Sequence, residues 1–548
     1  MAFDYDYLIV GSGFGGSVSA LRLAEKGWKV GVIEQGRRIG PEHIKAAKQS
    51  PRKLLWAPGL GMRGYFQQAA FKHLSVVSGV GVGGGSLVWG AVMLEPKPEF
   101  YQDPRVKNLP ADFAKELPPH FATAKRMLGV SRNPRQTLQD DILQKTATEL
   151  GAAANFDAVP NAIFFGEQTT EPRDPFFDGK GPLRKPCTYC AGCLTGCEHG
   201  SKNSLDLNYL YLAERQGAEI LAEHQADKIQ PMLEEGYRVS LSPSYPHSAN
   251  PKYQSSITAR RVILAGGVLG TLKLLFKNRD HYGHLPQVSQ TLGEVVRTNS
   301  EAITAILHPA DHDLTDGTAI STDFHPDPHT HITQNRFDRG YRFLRTVLVP
   351  MVDDERKLPR ALKTLGSMLL RPGLMFSNWF CKEWEKRVTV LTVMQDHDNA
   401  LTLRYKRTLG NLFRGGLVSE PHQHHNAPSY LPIANQATRI FARHAGGRPM
   451  SSALEAIGGK ATTAHILSGC PMGTSAADSV IDSNHEVHGH PGLFVMDGSS
   501  IPANIGVNPS LTITAMAERF AQLPIHAPAN PLSNMNSVEA ETETPIEA

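Results

Sequence analysis

The sequence has no uninterrupted apolar run of eighteen residues, so nothing in it reads as a membrane-spanning helix. It lacks a charge imbalance as well. The 56 lysines and arginines face 53 aspartates and glutamates, a net charge of +3, which removes the bulk electrostatic case for a nucleic-acid partner. The first residues, Met1 to Tyr7, carry no basic stretch and no small-residue cleavage site before the first apolar run, so the expected location is the cytoplasm. Cysteine is scarce. There are six in 548 residues, and four of them crowd between Cys187 and Cys197, unlike the scattered cysteines of a disulfide framework. What remains is ordinary for a globular chain: 41% hydrophobic and 20% charged residues, and length for two large domains or a discontinuous pair.

The first motif comes at once. An apolar strand, Tyr7 to Val10, runs into Gly11-Ser12-Gly13-Phe14-Gly15-Gly16. A helical stretch follows from Ser17 to Lys26, and a second apolar strand, Val30 to Ile33, ends at Glu34. This is the strand–turn–helix–strand unit of a dinucleotide fold. Gly11 makes the tight turn, and Gly13 lets backbone approach a pyrophosphate at the positive end of the helix. Phe14 and Gly15 complete the turn, Gly16 lets helix and strand pack closely, and Glu34 can accept hydrogen bonds from ribose hydroxyls. The motif alone does not separate FAD from NAD.

A second glycine-rich stretch, Ser78 to Ser86, contains Gly83-Gly84-Gly85-Ser86 between apolar flanks, Val76-Val77 and Leu87-Val88-Trp89. Apolar flanks exclude a solvated linker and suggest backbone pressed against something flat or phosphorylated. Near the other end, Leu493 to Met496 reads as a strand leading to Asp497-Gly498, and a helical pattern starts after Asn508-Pro509. Asn508 suits a helix N-cap and Pro509 the first helical position.

These stretches, with Gly200 to Ala213, Val262 to Leu275 and His465 to Glu518, resemble the glucose–methanol–choline (GMC) oxidoreductases, and among them the cholesterol oxidase branch. The most specific stretches are HILSGCPMG from His465 and LFVMDGSSIPANIGVNPSLTITAMAER from Leu493. The resemblance implies FAD as cofactor, held by Gly11, Gly13, Phe14, Gly15, Gly16, Glu34, Gly83, Gly84, Gly85, Ser86, Asp497, Gly498, Asn508 and Pro509. It also implies a catalytic pair: His465 handles the substrate hydroxyl, and Asn508 sits beside the flavin. Alcohol oxidation needs a proton taken from oxygen and a hydride passed from carbon to flavin N5, and a neutral imidazole suits the first task. Sterol oxidases add a glutamate base, for which the resemblance offers Glu385 as the candidate and Glu383 as its neighbour. Trp89 stands where sterol oxidases often have a smaller polar residue.

Cys187-x2-Cys190-x2-Cys193-x3-Cys197 has the spacing of a bacterial ferredoxin run, without the customary proline after the last cysteine. A [4Fe–4S] cluster held by all four would drain electrons from FAD toward an electron-transfer partner. Structural zinc and metal-free thiols are the competing readings.

The expected fold is α/β: a Rossmann-type FAD-binding domain with a discontinuous α+β substrate domain on an antiparallel sheet. The FAD domain takes residues 1–105, 185–305 and 455–525, the substrate domain 106–184 and 306–454, and 526–548 form a disordered tail. Within the substrate part, Leu358, Leu362, Leu365 and Leu369 repeat at helical spacing among Arg356, Lys357, Arg360, Lys363 and Arg371. This basic amphipathic segment reads as a core helix with a solvated basic face, as a lid, or as a peripheral membrane contact. The resemblance implies oxidation of the CH–OH group of a large apolar alcohol, a sterol in first place. A long-chain or terpenoid alcohol oxidised with oxygen and no cluster is the alternative, and a non-catalytic redox-relay flavoprotein is the alternative of another class.

Overall fold

The computed structural model describes residues 3–168, 171–245, 254–397, 399–408, 415–422 and 427–528. Its first sheet has the strand order Glu219–Ala222, Val30–Glu34, Tyr5–Val10, Ser256–Leu264, Tyr237–Pro243, His224–Pro231, and Leu493–Val495 also pairs with Ser256–Leu264. The strands flanking Tyr5–Val10 are parallel to it, so their apolar residues are covered on both faces; Tyr7, Leu8 and Ile9 are fully buried. Tyr237–Pro243 and His224–Pro231 form an antiparallel extension. Tyr237–Pro243 takes one edge of Ser256–Leu264 up to Ala259, and Leu493–Val495 takes that strand's continuation from Val262. The C-terminal motif is thereby placed beside the N-terminal one. Loops carrying Gly11, Glu34, Ala265 and Asp497 all leave the carboxyl ends of parallel strands, where such sheets bind ligands.

Helices Phe14–Glu25, Tyr209–Arg215 and Ser510–Gln522 pack on this sheet around buried Glu518. Its carboxylate accepts bonds from Arg22 at 2.7 and 2.9 Å and from the Tyr209 hydroxyl at 2.6 Å, which pairs a buried charge with enough donors to be tolerated.

The second sheet runs Leu348–Pro350, Arg448–Ser452, Ala302–Leu307, Val388–Gln395, Thr330–Asn335, Thr322–Phe324, Phe156–Ala158, with every pair antiparallel. Its residues alternate between two cores. Ala302, Ile306, Leu391 and Val393 face helices Leu138–Glu149 and Pro432–His444, whereas Ala305, Leu307, Val388 and Val390 face the other way.

Two boundaries differ from the sequence reading. The segment 106–184 does not act as one piece: helix Phe113–Met127 packs on Ser510–Gln522 through Phe113, Leu117 and Phe121, with Arg519 bonded to Glu116, and only the later part reaches the antiparallel sheet. The ordered chain also passes residue 526. His526 is fully buried, bonded to the Tyr7 hydroxyl at 2.8 Å and packed against Phe520 at 4.4 Å; residues 529–548 lie outside the described residues. A proline- and asparagine-rich composition hid one aromatic-packed turn.

Helix Lys357–Leu370 does not have the buried leucine face of the core-helix reading. Leu358, Leu362 and Leu369 are 70%, 61% and 82% exposed, while Arg360 is buried and donates to the carbonyl of Glu455 at 3.1 Å and to the Ser429 hydroxyl at 2.9 Å. The leucine stripe is therefore an outward apolar face, continued by Leu370, Phe376 and Phe380. No helix among the described residues is long and apolar enough to cross a membrane.

Candidate active site

Close approach explains the glycines. A Cβ on Gly11, which sits at φ +107°, would lie 2.2 Å from the Ala265 carbonyl oxygen. On Gly15 it would lie 1.8 Å from the Met496 oxygen, and on Gly16 it would lie 2.0 Å from the Gly11 oxygen. Gly15 is therefore where the N-terminal helix and the C-terminal strand touch, a contact between backbones that no side chain can enter. A Cβ on Gly13 would meet no protein atom within 4 Å, and Gly13 is the residue preceding helix Phe14–Glu25, whose start has no side-chain cap. The first-turn N–H groups are left to face an anionic group.

The second glycine loop closes on the first. Gly83 and Gly84 have φ of +108° and +53°, and a Cβ on Gly84 would come within 2.7 Å of the Gly13 Cα. Gly85 lies under the Phe14 ring, and Phe14 meets Trp89 edge-on at 5.0 Å. Ser86 accepts the Leu205 N–H at 2.9 Å and donates to Gly83 at 2.6 Å, which fixes the loop.

Glu34 does more than the sequence reading gave it. Its carboxylate accepts the Ser12 hydroxyl at 2.7 Å and the Gly36 N–H at 2.8 Å, and Ser12 in turn accepts the Gly83 N–H at 3.1 Å. It thus locks both glycine loops together. Burial pushes its carboxyl up, against these donors that favour the charged form. Asp497 is likewise buried and pushed up by burial. It accepts the Thr271 hydroxyl at 2.6 Å and the Ser499 N–H at 2.8 Å, and so orders Gly498 and the start of helix Gly267–Phe276.

His465 and Asn508 meet: Asn508 Nδ2 lies 3.3 Å from His465 Nε2. The other imidazole nitrogen, Nδ1, pairs with the carboxylate of Glu301, which is buried and also accepts the Ala464 N–H at 2.8 Å. A carboxylate facing Nδ1 favours the tautomer with its proton on that nitrogen, which leaves Nε2 as the acceptor beside the Asn508 amide. Glu301 carried no sequence signal, because Thr298-Asn299-Ser300-Glu301 lies just before a strand and belongs to no motif the sequence offered.

Two expectations change. Asn508 is not a side-chain cap: helix Ser510–Gln522 is preceded by Pro509, no side chain caps it, and the Asn508 amide is spent on His465. Glu385 is buried in a bidentate pair with Arg342, 2.6 Å at one arm, and so is already neutralised by a partner; the acid on His465 is Glu301. Asn508 Oδ1 and Trp89 Nε1 are buried without a protein partner, as polar atoms aimed at a polar ring edge would be. The glycine cradle and these two atoms fit FAD.

All four cysteines of the cluster motif carry free thiols, Cys187 and Cys193 buried, Cys190 exposed and Cys197 intermediate. Burial drives the Cys193 thiol up to about 12.

The GMC oxidoreductase sequence patterns match residues 183–280 and 432–517, and an NAD(P)-binding Rossmann-like pattern matches residues 9–46. The chain is 37% identical to a cholesterol oxidase of Acinetobacter baumannii, over 94% of each chain. It is 38% identical to a cholesterol oxidase of Mycobacterium tuberculosis, over 95% of this chain and 91% of the other. A long-chain-alcohol oxidase of Arabidopsis thaliana matches at 24% over 93% of this chain and 66% of its own. Pyridoxine 4-oxidase from Mesorbium loti shares the fold, with a TM-score of 0.62 at 15% identity over 95% of this chain and 99% of its own. With its two glycine loops, its Rossmann sheet and a near-full-length likeness above 30%, the chain belongs to the GMC oxidoreductase family and is an FAD-dependent enzyme that oxidises an alcohol.

Proposed function

We propose that the enzyme oxidises the ring hydroxyl of a sterol or similar large apolar alcohol at a site built from His465, Asn508 and Glu301. The observation that carries this is the His465–Asn508 contact with Glu301 behind it, since it supplies an oriented proton acceptor and a neutral amide with one free polar atom. The sterol assignment is drawn from the two bacterial cholesterol oxidases. The alternative of a non-catalytic flavoprotein falls with the family assignment.

Gly11, Gly13, Phe14, Gly15, Gly16, Glu34, Gly83–Ser86, Asp497, Gly498, Asn508 and Pro509 would hold FAD, which supplies the hydride acceptor. His465 Nε2 takes the hydroxyl proton as the hydride leaves the carbinol carbon. Glu301 steadies the resulting imidazolium and prevents the ring from rotating, because its own position is fixed by Ala464. The Asn508 amide orients the substrate oxygen without adding a charge that would oppose hydride loss.

The exposed leucine face of Lys357–Leu370 supports a second element of the reading: contact with the membrane that stores such a substrate. Lys357 and Arg371 flank the apolar stripe and suit anionic headgroups, Lys363 beside them being paired with Asp354 at 2.7 Å, and buried Arg360 ties this helix to Glu455, whose carboxylate accepts the Ile303 N–H two residues from Glu301. The test of the whole reading is anaerobic flavin bleaching by cholesterol set against bleaching by long-chain primary alcohols. Cholesterol should bleach the flavin faster; bleaching by the long-chain alcohols alone would replace the sterol with that substrate class.

A further inference from the structure

We propose that Cys187, Cys190, Cys193 and Cys197 bind one [4Fe–4S] cluster that carries electrons from the flavin site to an external one-electron carrier. The electron-carrying half rests on the alcohol-oxidising reading above; the binding half does not.

The four cysteines line a single cavity together with Ile163, Lys202 and Gly317. The loop is shaped to bring them round it. Tyr189 and Ala191, on either side of Cys190, are left-handed at φ +57° and +56°, and Gly196 is at φ +120° just before Cys197, so the chain reverses between successive thiols. Tyr189 and Ala191 are conformations that side chains adopt only when the surroundings impose them.

The spacing of the sulfurs separates the two candidate metals. Four thiolates about 2.3 Å from one zinc stand roughly 3.8 Å apart at the corners of a tetrahedron. Among the described residues, the groups of three or more metal-ligand side chains with donor atoms within 4.8 Å of one another are Asp323–His325–His331 and His329–Asp396–His397. No three of the four sulfurs stand within 4.8 Å of one another, wider than one ion needs, whereas in a cubane each thiolate holds its own iron.

Three of the sulfurs also receive backbone N–H groups: Tyr189 donates to Cys187 at 3.4 Å, Lys202 to Cys197 at 3.5 Å, and Ala319 to Cys193. Such bonds stabilise cluster thiolates and tune their potential. Cys470, by contrast, lies alone in the core beside Ser499.

The site abuts the flavin cradle. The buried Lys202 ammonium donates to the carbonyls of Cys193 at 2.6 Å and Leu87 at 2.9 Å, which joins the cysteine loop to the end of the Gly84–Leu87 turn. At the opposite edge Cys190 reaches solvent. Oxidation of one alcohol to a carbonyl releases two electrons and two protons. The cluster would pass the electrons singly, in two rounds, to a one-electron carrier docked over Cys190, and the protons would leave to water.

The test uses the full-length holoenzyme purified without oxygen. About four iron and four acid-labile sulfide per chain, with a low-temperature EPR signal after dithionite, are expected. Cys190→Ser, a change at an exposed position, and Cys193→Ser should each lose that signal and the sulfide while keeping bound FAD. Iron-free protein, protein with one zinc, or iron and sulfide unchanged in both variants would overturn the site. The relay is read separately: with cholesterol as reductant and ferricenium as one-electron acceptor, Cys190→Ser should lose ferricenium turnover while its flavin still bleaches. Unchanged ferricenium turnover in a cluster-free variant would overturn the relay, and failure of cholesterol to bleach the parent flavin would strike the alcohol reading instead.

Discussion

Replacing Glu301 with glutamine swaps one carboxylate oxygen for an NH2 in a place where both oxygens are used. One oxygen accepts Ala464 N–H at 2.8 Å and the other faces His465 Nδ1. If the amide oxygen stays on Ala464, the NH2 faces Nδ1 and forces the imidazole proton to Nε2. Nε2 then points a donor at the Asn508 amide 3.3 Å away and can no longer accept the substrate proton. If the amide flips, its NH2 meets the Ala464 N–H, a buried donor–donor mismatch that costs about 1–3 kcal/mol. Neither arrangement keeps a charge to stabilise the imidazolium. Loss of a positioned acid–base group slows catalysis by about 10²–10⁴-fold, which is about 3–5 kcal/mol in barrier. Glu301→Gln should therefore lower anaerobic flavin reduction by that factor at saturating cholesterol, with FAD content unchanged in the absorption spectrum. Parent-like reduction in Glu301→Gln, together with a crippled Glu385→Gln, would return the role to Glu385 and refute the assignment made from the pair.

Gly15→Ala should yield protein without bound flavin, because the new methyl would sit 1.8 Å from the Met496 oxygen with backbone on both sides; normal flavin absorbance per chain would show that this contact opens. Leu369→Ser with Leu370→Ser should reduce sedimentation with anionic vesicles, and neutralising Lys357 and Arg371 should weaken it by on the order of 1 kcal/mol each; a parent enzyme that does not sediment would end the membrane reading. Arg360 is left intact in that series because it anchors the helix. Acid should destabilise the fold: burial holds the His308, His485 and His526 imidazoles down to about 3. Their folded pKa values lie below the unfolded 6.5, so the unfolded chain binds more protons and stability falls as pH drops below about 6.5 toward 3, each contributing on the order of 1 kcal/mol per pH unit. His526→Phe should flatten the fall in melting temperature between pH 6.5 and 5, and an unaltered slope would remove His526 from the effect.

The parts of this site that were legible in the sequence are those in which chemistry and local geometry coincide. Gly11, Gly15 and Gly16 are glycine because backbone passes within a bond length or two of where Cβ would be, and that constraint repeats wherever strand, turn and helix meet a dinucleotide. The motifs around His465 and Asn508 nominated both, and the structure brings the two side chains within 3.3 Å. Glu301 was not legible: its function depends on a partner more than 160 residues later, and its neighbours carry no pattern. Glu385 shows the converse: a charged stretch looks available in sequence, but in the structure Arg342, 43 residues earlier, pairs with its carboxylate. The leucine periodicity of Lys357–Leu370 gave the helix, but periodicity does not say which face is inward; buried Arg360 decides that through Glu455 and Ser429, both far along the chain.

The most direct measurement is stopped-flow absorbance of the parent enzyme and His465→Ala mixed with cholesterol in the absence of oxygen. The flavin band of the parent should bleach, and that of His465→Ala, loaded with the same amount of FAD, should bleach about 10²–10⁴-fold more slowly. Equal bleaching rates in the two proteins would contradict the assignment of His465 as the proton acceptor of an alcohol-oxidising site.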